Sequence, residues 1–120
     1  MELKVSNMAQ TLNFVDFEFN NQKYAINKSD LIKAFEELKI WYESWNRTNF
    51  SQKLIELICK ADDYNKIKIA KSYPEFICAY YCWYYKEFMG KKYTIDDPEM
   101  IDYVFFDEVL KNLKGEKDAN

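Results

Sequence analysis

The sequence predicts an α+β fold, mainly α: an N-terminal β-hairpin packed on a bundle of four to five helices, with residues 74–89 as the central helix. Three observations predict it. The stretch TLNFVDFEFNNQKYAIN alternates apolar and polar residues about a pair of asparagines. From Ser29 onward, apolar residues recur at steps of three and four. The stretch YPEFICAYYCWYYKEFMG, residues 73–90, is apolar on nearly every side when wound as a helix, which marks a helix enclosed by others. A chain of 120 residues is one domain's worth, and residues 1–120 are read as a single domain. Residues 1–10 and 116–120 are expected to fray.

The hairpin turns at Asn20-Asn21, because asparagine tolerates positive φ. A two-residue loop there sets Phe19 opposite Gln22, Glu18 opposite Lys23, Phe17 opposite Tyr24 and Val15 opposite Ile26. Opposite charges then meet on one face and apolar side chains on the other. Ser29 is the expected N-cap of the first helix, with Asp30 in its first turn. Leu31, Phe35, Leu38, Tyr42 and Trp45 form its stripe, widened by Ile40 and Trp41. A second helix starts after Asn49, with Gln52 in a loose capping box and Phe50, Leu54, Leu57, Ile58 and Ala61 as its stripe. Asp62 or Asp63 caps a short helix through Ser72, although Ile67 and Ile69 also alternate as a strand would.

The central helix carries its own boundaries, Pro74 at the start and Gly90 past the end. Lys91 to Ile95 reads as a short extended segment. Asp97-Pro98-Glu99 then opens a last helix that stops at Gly115.

Absences narrow the chemistry. The chain has no histidine, so it lacks an imidazole base, a Ser–His or Cys–His pair, and a His metal ligand. Arg47 is its single arginine, and its two glycines cannot build a phosphate-cradling loop. A net charge of −3 argues against a nucleic-acid binder. The aromatic helix has an uninterrupted apolar run of only ten residues, Phe76 to Tyr85, too short to span a membrane. Cys59, Cys78 and Cys82 are odd in number and no secretory signal opens the sequence, which predicts a cytoplasmic protein with reduced thiols. Cys78 and Cys82 share a helical face but lack the further ligands of a metal site, so no metal or cofactor is expected.

Residues that combine contact area with a polar handle are the candidates for partner binding: Trp41, Tyr81, Trp83 and Tyr85. The acidic run that contains Asp102, Asp107 and Glu108 is a second candidate, as a surface for a basic groove on a partner. Half of those carboxylates are accounted for by the helix dipole. Lys60, Lys66, Lys68 and Lys71, interleaved with Tyr64 and Tyr73, form a mild basic patch.

Asn, Ile, Lys, Tyr and Phe make up 55 of the 120 residues, and Gly, Ala, Arg and Pro only 12. The favoured codons are AT-rich, as in a low-GC bacterium or its phages. Residues 61–83, ADDYNKIKIAKSYPEFICAYYCW, resemble a pattern of small phage and prophage proteins of Gram-positive bacteria. Ala61-Asp62, Asn65, Ala70, Pro74-Glu75 and Ala79-Tyr80 carry the resemblance, and Tyr73 departs from it where phenylalanine is expected. The pattern brings no activity and no catalytic residue. The leading expectation is a non-enzymatic phage or mobile-element protein that binds and inhibits a host protein, such as a defence complex, in the manner of an anti-CRISPR. The alternatives are a small-ligand or nucleotide-binding module that sequesters a signal, and an enzyme using carboxylates or a tyrosine. Homodimerisation is a further expectation, since a second copy can cover an all-round apolar helix.

Overall fold

In a computed structural model of the chain, which describes residues 3–7, 13–44, 49–94 and 99–115, Asn20 and Asn21 adopt φ of 51° and 64°. Two consecutive left-handed residues make the tight turn whose twist matches that of paired strands. β2 (Phe14–Phe19) and β3 (Gln22–Asn27) leave that turn in the predicted register, with Phe19, Glu18, Phe17 and Val15 opposite Gln22, Lys23, Tyr24 and Ile26. Strand alternation buries Val15, Phe17 and Phe19 on one face.

The sequence reading left residues 1–10 frayed, whereas Leu3–Asn7 form a strand, β1, antiparallel to β2. The sheet order is β1-β2-β3, which puts β2 in the centre. Leu3 and Val5 stand opposite Phe19 and Phe17, so the register continues the hairpin's alternation. Residues 116–120 lie outside the described residues.

α1 (Lys28–Glu43) follows β3 without a loop. Its N-cap is Asn27, not Ser29: the Asn27 side chain accepts from the Ser29 backbone N–H at 2.9 Å. The strand's last residue already has the extended backbone that a cap needs, so the helix starts earlier. Leu31, Ala34, Phe35 and Leu38 are buried; Trp45 lies outside the described residues.

α2 (Phe50–Lys60) is capped as predicted, Asn49 accepting from the Gln52 N–H at 2.8 Å. Its inner face is rotated from the predicted stripe. Gln52, Leu54, Ile55 and Ile58 turn inward, while Phe50 and Leu57 are 63% and 55% exposed. α2 packs on two helices, α1 and α4, and that double contact recentres the face on Ile55 and Ile58. α3 (Asp63–Ser72) is a helix, with Asp62 as its cap.

α4 (Pro74–Tyr85) is the central helix, in contact with α1, α2, α3, α5 and the sheet. Seven consecutive residues, Phe76 to Cys82, are buried on it. It ends four residues before the predicted position. Lys86 takes the left-handed conformation, φ 54°, and its N–H caps the helix on the Cys82 and Trp83 carbonyls. The chain then forms a miniature hairpin of β4 (Glu87–Phe88) and β5 (Lys91–Lys92). Gly90 is therefore a hairpin residue, at φ 82° beside Met89 at 52°, and not a helix terminator. This turn drives Phe88 into the core, edge-on to Phe35 at 5.7 Å.

α5 (Ile101–Leu113) closes the core with Phe105, Phe106, Val109 and Leu113. Gly115 follows at φ 73°, as the stop signal predicted. The expected start at Asp97-Pro98 lies outside the described residues. No described helix is long and apolar enough to cross a membrane.

Candidate functional site

The helical spacing of Tyr80, Tyr81, Tyr84 and Tyr85 stacks their rings in two columns at the C-terminal end of α4. Tyr81 and Tyr85 lie 6.0 Å apart and 16° from parallel; Tyr80 and Tyr84 lie 6.0 Å apart at 30°. Across the columns, Tyr80 meets Tyr81 and Tyr84 meets Tyr85 edge-on, each pair at 5.2 Å. The inner pair is buried, whereas Tyr84 and Tyr85 are 59% and 49% exposed.

The cluster is braced from two sides. Phe19 of the sheet packs on Tyr81 at 5.3 Å. The Lys66 ammonium, from α3, sits 5.6 Å and 5.8 Å from the centres of Tyr80 and Tyr81. The outer rings thus project from a fixed base, as aromatic anchors do when little rotamer freedom remains to be lost on binding. Burial, assisted by the charge of Asp63 and the neighbouring phenols, pushes Tyr81 up to about 12. Tyr80 is raised for similar reasons, burial first. Both phenols stay protonated near neutral pH and are weak bases there.

A second cluster gathers Trp41, Trp83 and Asp102. Asp102 accepts hydrogen bonds from Tyr42 Oη at 2.8 Å and Trp83 Nε1 at 2.7 Å, and pairs with Lys86 Nζ at 2.9 Å. Lys86 also donates to the Trp83 carbonyl at 2.6 Å and covers the Trp83 ring at 4.6 Å. Trp41 meets Trp83 edge-on at 6.0 Å. Burial alone pushes the Asp102 carboxyl up, but hydrogen bonds from Lys86, Tyr42 and Trp83 and the Lys86 charge hold it below the usual carboxylate range. The reciprocal effect raises Tyr42 to about 12, chiefly through its bond to Asp102, then through burial. This cluster joins α1, α4 and α5, and its Asp102 carboxylate is fully occupied.

The candidate residues therefore divide. Tyr85 is exposed and Tyr81 is the buried base beneath it. Trp41, Trp83 and Asp102 are half-buried in the internal knot. Asp107 and Glu108 are exposed on α5, but Lys111 pairs with Asp107 at 3.1 Å and Lys91 with Glu108 at 3.3 Å. Sequence reasoning missed Tyr84 and Lys66 as parts of the tyrosine end. The i, i+4 relation of Tyr80 to Tyr84 is a signal for the first; the position of Lys66 depends on how α3 folds back on α4.

Cys78 and Cys82 are buried one turn apart, and burial pushes the Cys78 thiol well up, as for small apolar side chains. Among the described residues, no three His, Cys, Asp or Glu side chains are grouped so as to hold a metal ion. Comparison with protein-family models, with curated proteins and with solved structures finds no match.

Proposed function

We propose that this chain is a non-enzymatic binding protein of phage or mobile-element origin that attaches to, and inhibits, a host protein in the host cytoplasm. The observation that carries the reading is the tyrosine end of α4, where Tyr84 and Tyr85 stand exposed on a buried, braced aromatic base. Such rings supply contact area with a polar tip at low entropic cost. The resemblance of residues 61–83 and the AT-rich alphabet support the origin. A ligand-sequestering role for the tyrosines has less support, because Tyr84 and Tyr85 stand exposed, whereas a groove of about 410 Å³ is lined by α2 and α3 and the elbow between them, without these tyrosines.

The test compares the native chain with a Tyr84→Ser/Tyr85→Ser variant as bait in a bacterial lysate. Titration of the captured protein, once purified, then gives its affinity. The reading expects binding at about micromolar Kd or tighter, weakened at least about tenfold in the variant. Binding that is indifferent to both tyrosines overturns it. So does sedimentation showing that the same tyrosines mediate only self-association.

A further inference from the structure

α2 and α3 run antiparallel from the elbow at Ala61-Asp62, yet each packs mainly on other helices, α2 on α1 and α4, α3 on α4. A groove of about 410 Å³ is left between them. Its lining combines apolar Leu57, Ala61 and Ile69 with polar Lys60, Asp62, Asn65 and Lys68. At the end away from the elbow, Phe50 of α2 meets Tyr73 at 5.7 Å, which extends the apolar strip along α2. At about 1.5 Å per residue, that helix spans about 16 Å. An extended peptide of about five residues covers the same length.

The electrostatics select the occupant. Residues 50–72 contain five lysines and three acids, a positive surplus on a chain whose net charge is −3. Neither Lys60 nor Lys68 forms an ion pair with another described residue. The acid that lines the groove, Asp62, turns an oxygen to the Asn65 N–H at 2.8 Å as the cap of α3. Tyr64, an exposed ring on α3, has the Lys68 ammonium 4.5 Å from its centre, which occupies a face that a nucleobase needs for stacking. We infer that the α2–α3 groove docks a short acidic segment of another protein, seating an apolar side chain on Leu57 and Ile69 between the Lys60 and Lys68 ammonium groups. This site uses none of the residues of the tyrosine end, so the two readings fail separately.

Amide NMR of the whole chain tests it, with an end-capped peptide alternating glutamate and leucine as probe. Its lysine–leucine counterpart, oligothymidylate and ATP serve as comparisons. The expected result is shifts confined to the groove, at Leu57, Lys60, Asn65 and Lys68, with a Kd of about 0.1 mM or tighter. Affinity falls at least about tenfold in Lys60→Glu/Lys68→Glu and in Leu57→Ser, exposed positions whose spectra also report an intact fold, and is unchanged in Tyr84→Ser/Tyr85→Ser. The inference is overturned if the acidic peptide causes no shifts, if shifts fall elsewhere, or if the basic peptide binds equally well. It is also overturned if only oligothymidylate or ATP moves the groove amides.

Discussion

Trp83 donates its indole N–H to Asp102 across 2.7 Å, joining the last turn of α4 to the first turn of α5. Two side chains suited by type to a partner surface are thereby spent inside the molecule. Tyr42 and Lys86 complete the set around the same carboxylate.

Replacing Asp102 by Asn leaves Lys86 without its counter-charge and weakens two hydrogen bonds. The expected loss is about 2–3 kcal/mol at neutral pH, read by urea unfolding. Because the folded state holds this carboxyl below its ordinary value of 3.8, its stabilising contribution is present above that value and fades as pH falls through the folded pKa. The gap between native and variant chains should therefore narrow in acid. A gap that stays constant down to strongly acidic pH contradicts the assignment.

Tyr42 and Tyr81 test the alkaline side. Both are raised to about 12, so their contribution is complete below the ordinary phenol value of 10.0 and is lost as pH rises through about 12. Spectrophotometric titration of the ten tyrosines should show Tyr42 and Tyr81 among those ionising late, with Tyr80 and Tyr93 also shifted upward by burial, and Tyr42→Phe should remove one late step. Simultaneous ionisation of all ten in the folded chain argues against both environments.

Lys86 sits at φ 54°, where a side chain with a β-carbon is strained by about 1 kcal/mol. Lys86→Ala loses the ion pair and keeps the strain. Lys86→Gly loses the pair and removes the strain, so it should be the milder change by about 1 kcal/mol in thermal or urea unfolding. Equal losses would mean that the left-handed cap does not persist in solution.

Phe88 reaches the core through the Met89-Gly90 turn and is 2% exposed. Phe88→Ala should cost about 3–5 kcal/mol, since the ring leaves a cavity beside Phe35. Tyr84→Ser and Tyr85→Ser, on exposed rings, should each stay within about 1 kcal/mol of the native chain. A Phe88 effect no larger than the tyrosine effects would show that the hairpin is not part of the core.

Local signals were legible where local chemistry decides. The Asn20-Asn21 turn fixed a strand register, and Asn49 and Asp62 marked helix starts, because each needs only its neighbours in sequence. Leu3–Asn7 were not legible as a strand, since their pairing is set by the far side of β2. The end of α4 was misplaced because Gly90 suits a helix stop and a hairpin turn equally. The left-handed Lys86 is held by Asp102, sixteen positions away, which no local pattern reports. Of the candidate site, tyrosine content was plain from composition. Which tyrosines stayed outside depended on Phe19 and Lys66, brought in by the sheet and by α3.

The bond from Tyr42 to Asp102 spans sixty positions, so it cannot form until α5 exists to offer the carboxylate. Closing a loop of that length carries an entropic cost. During synthesis, the sheet and the first four helices emerge before this partner. Trp83 and Lys86 then lack their carboxylate partner, and Phe35 lacks the Phe105 ring that later packs on it. Completion of the core is thus deferred to the arrival of one helix, and a chain stalled short of Ile101 leaves the ribosome with its aromatic interior open to solvent and to chaperones.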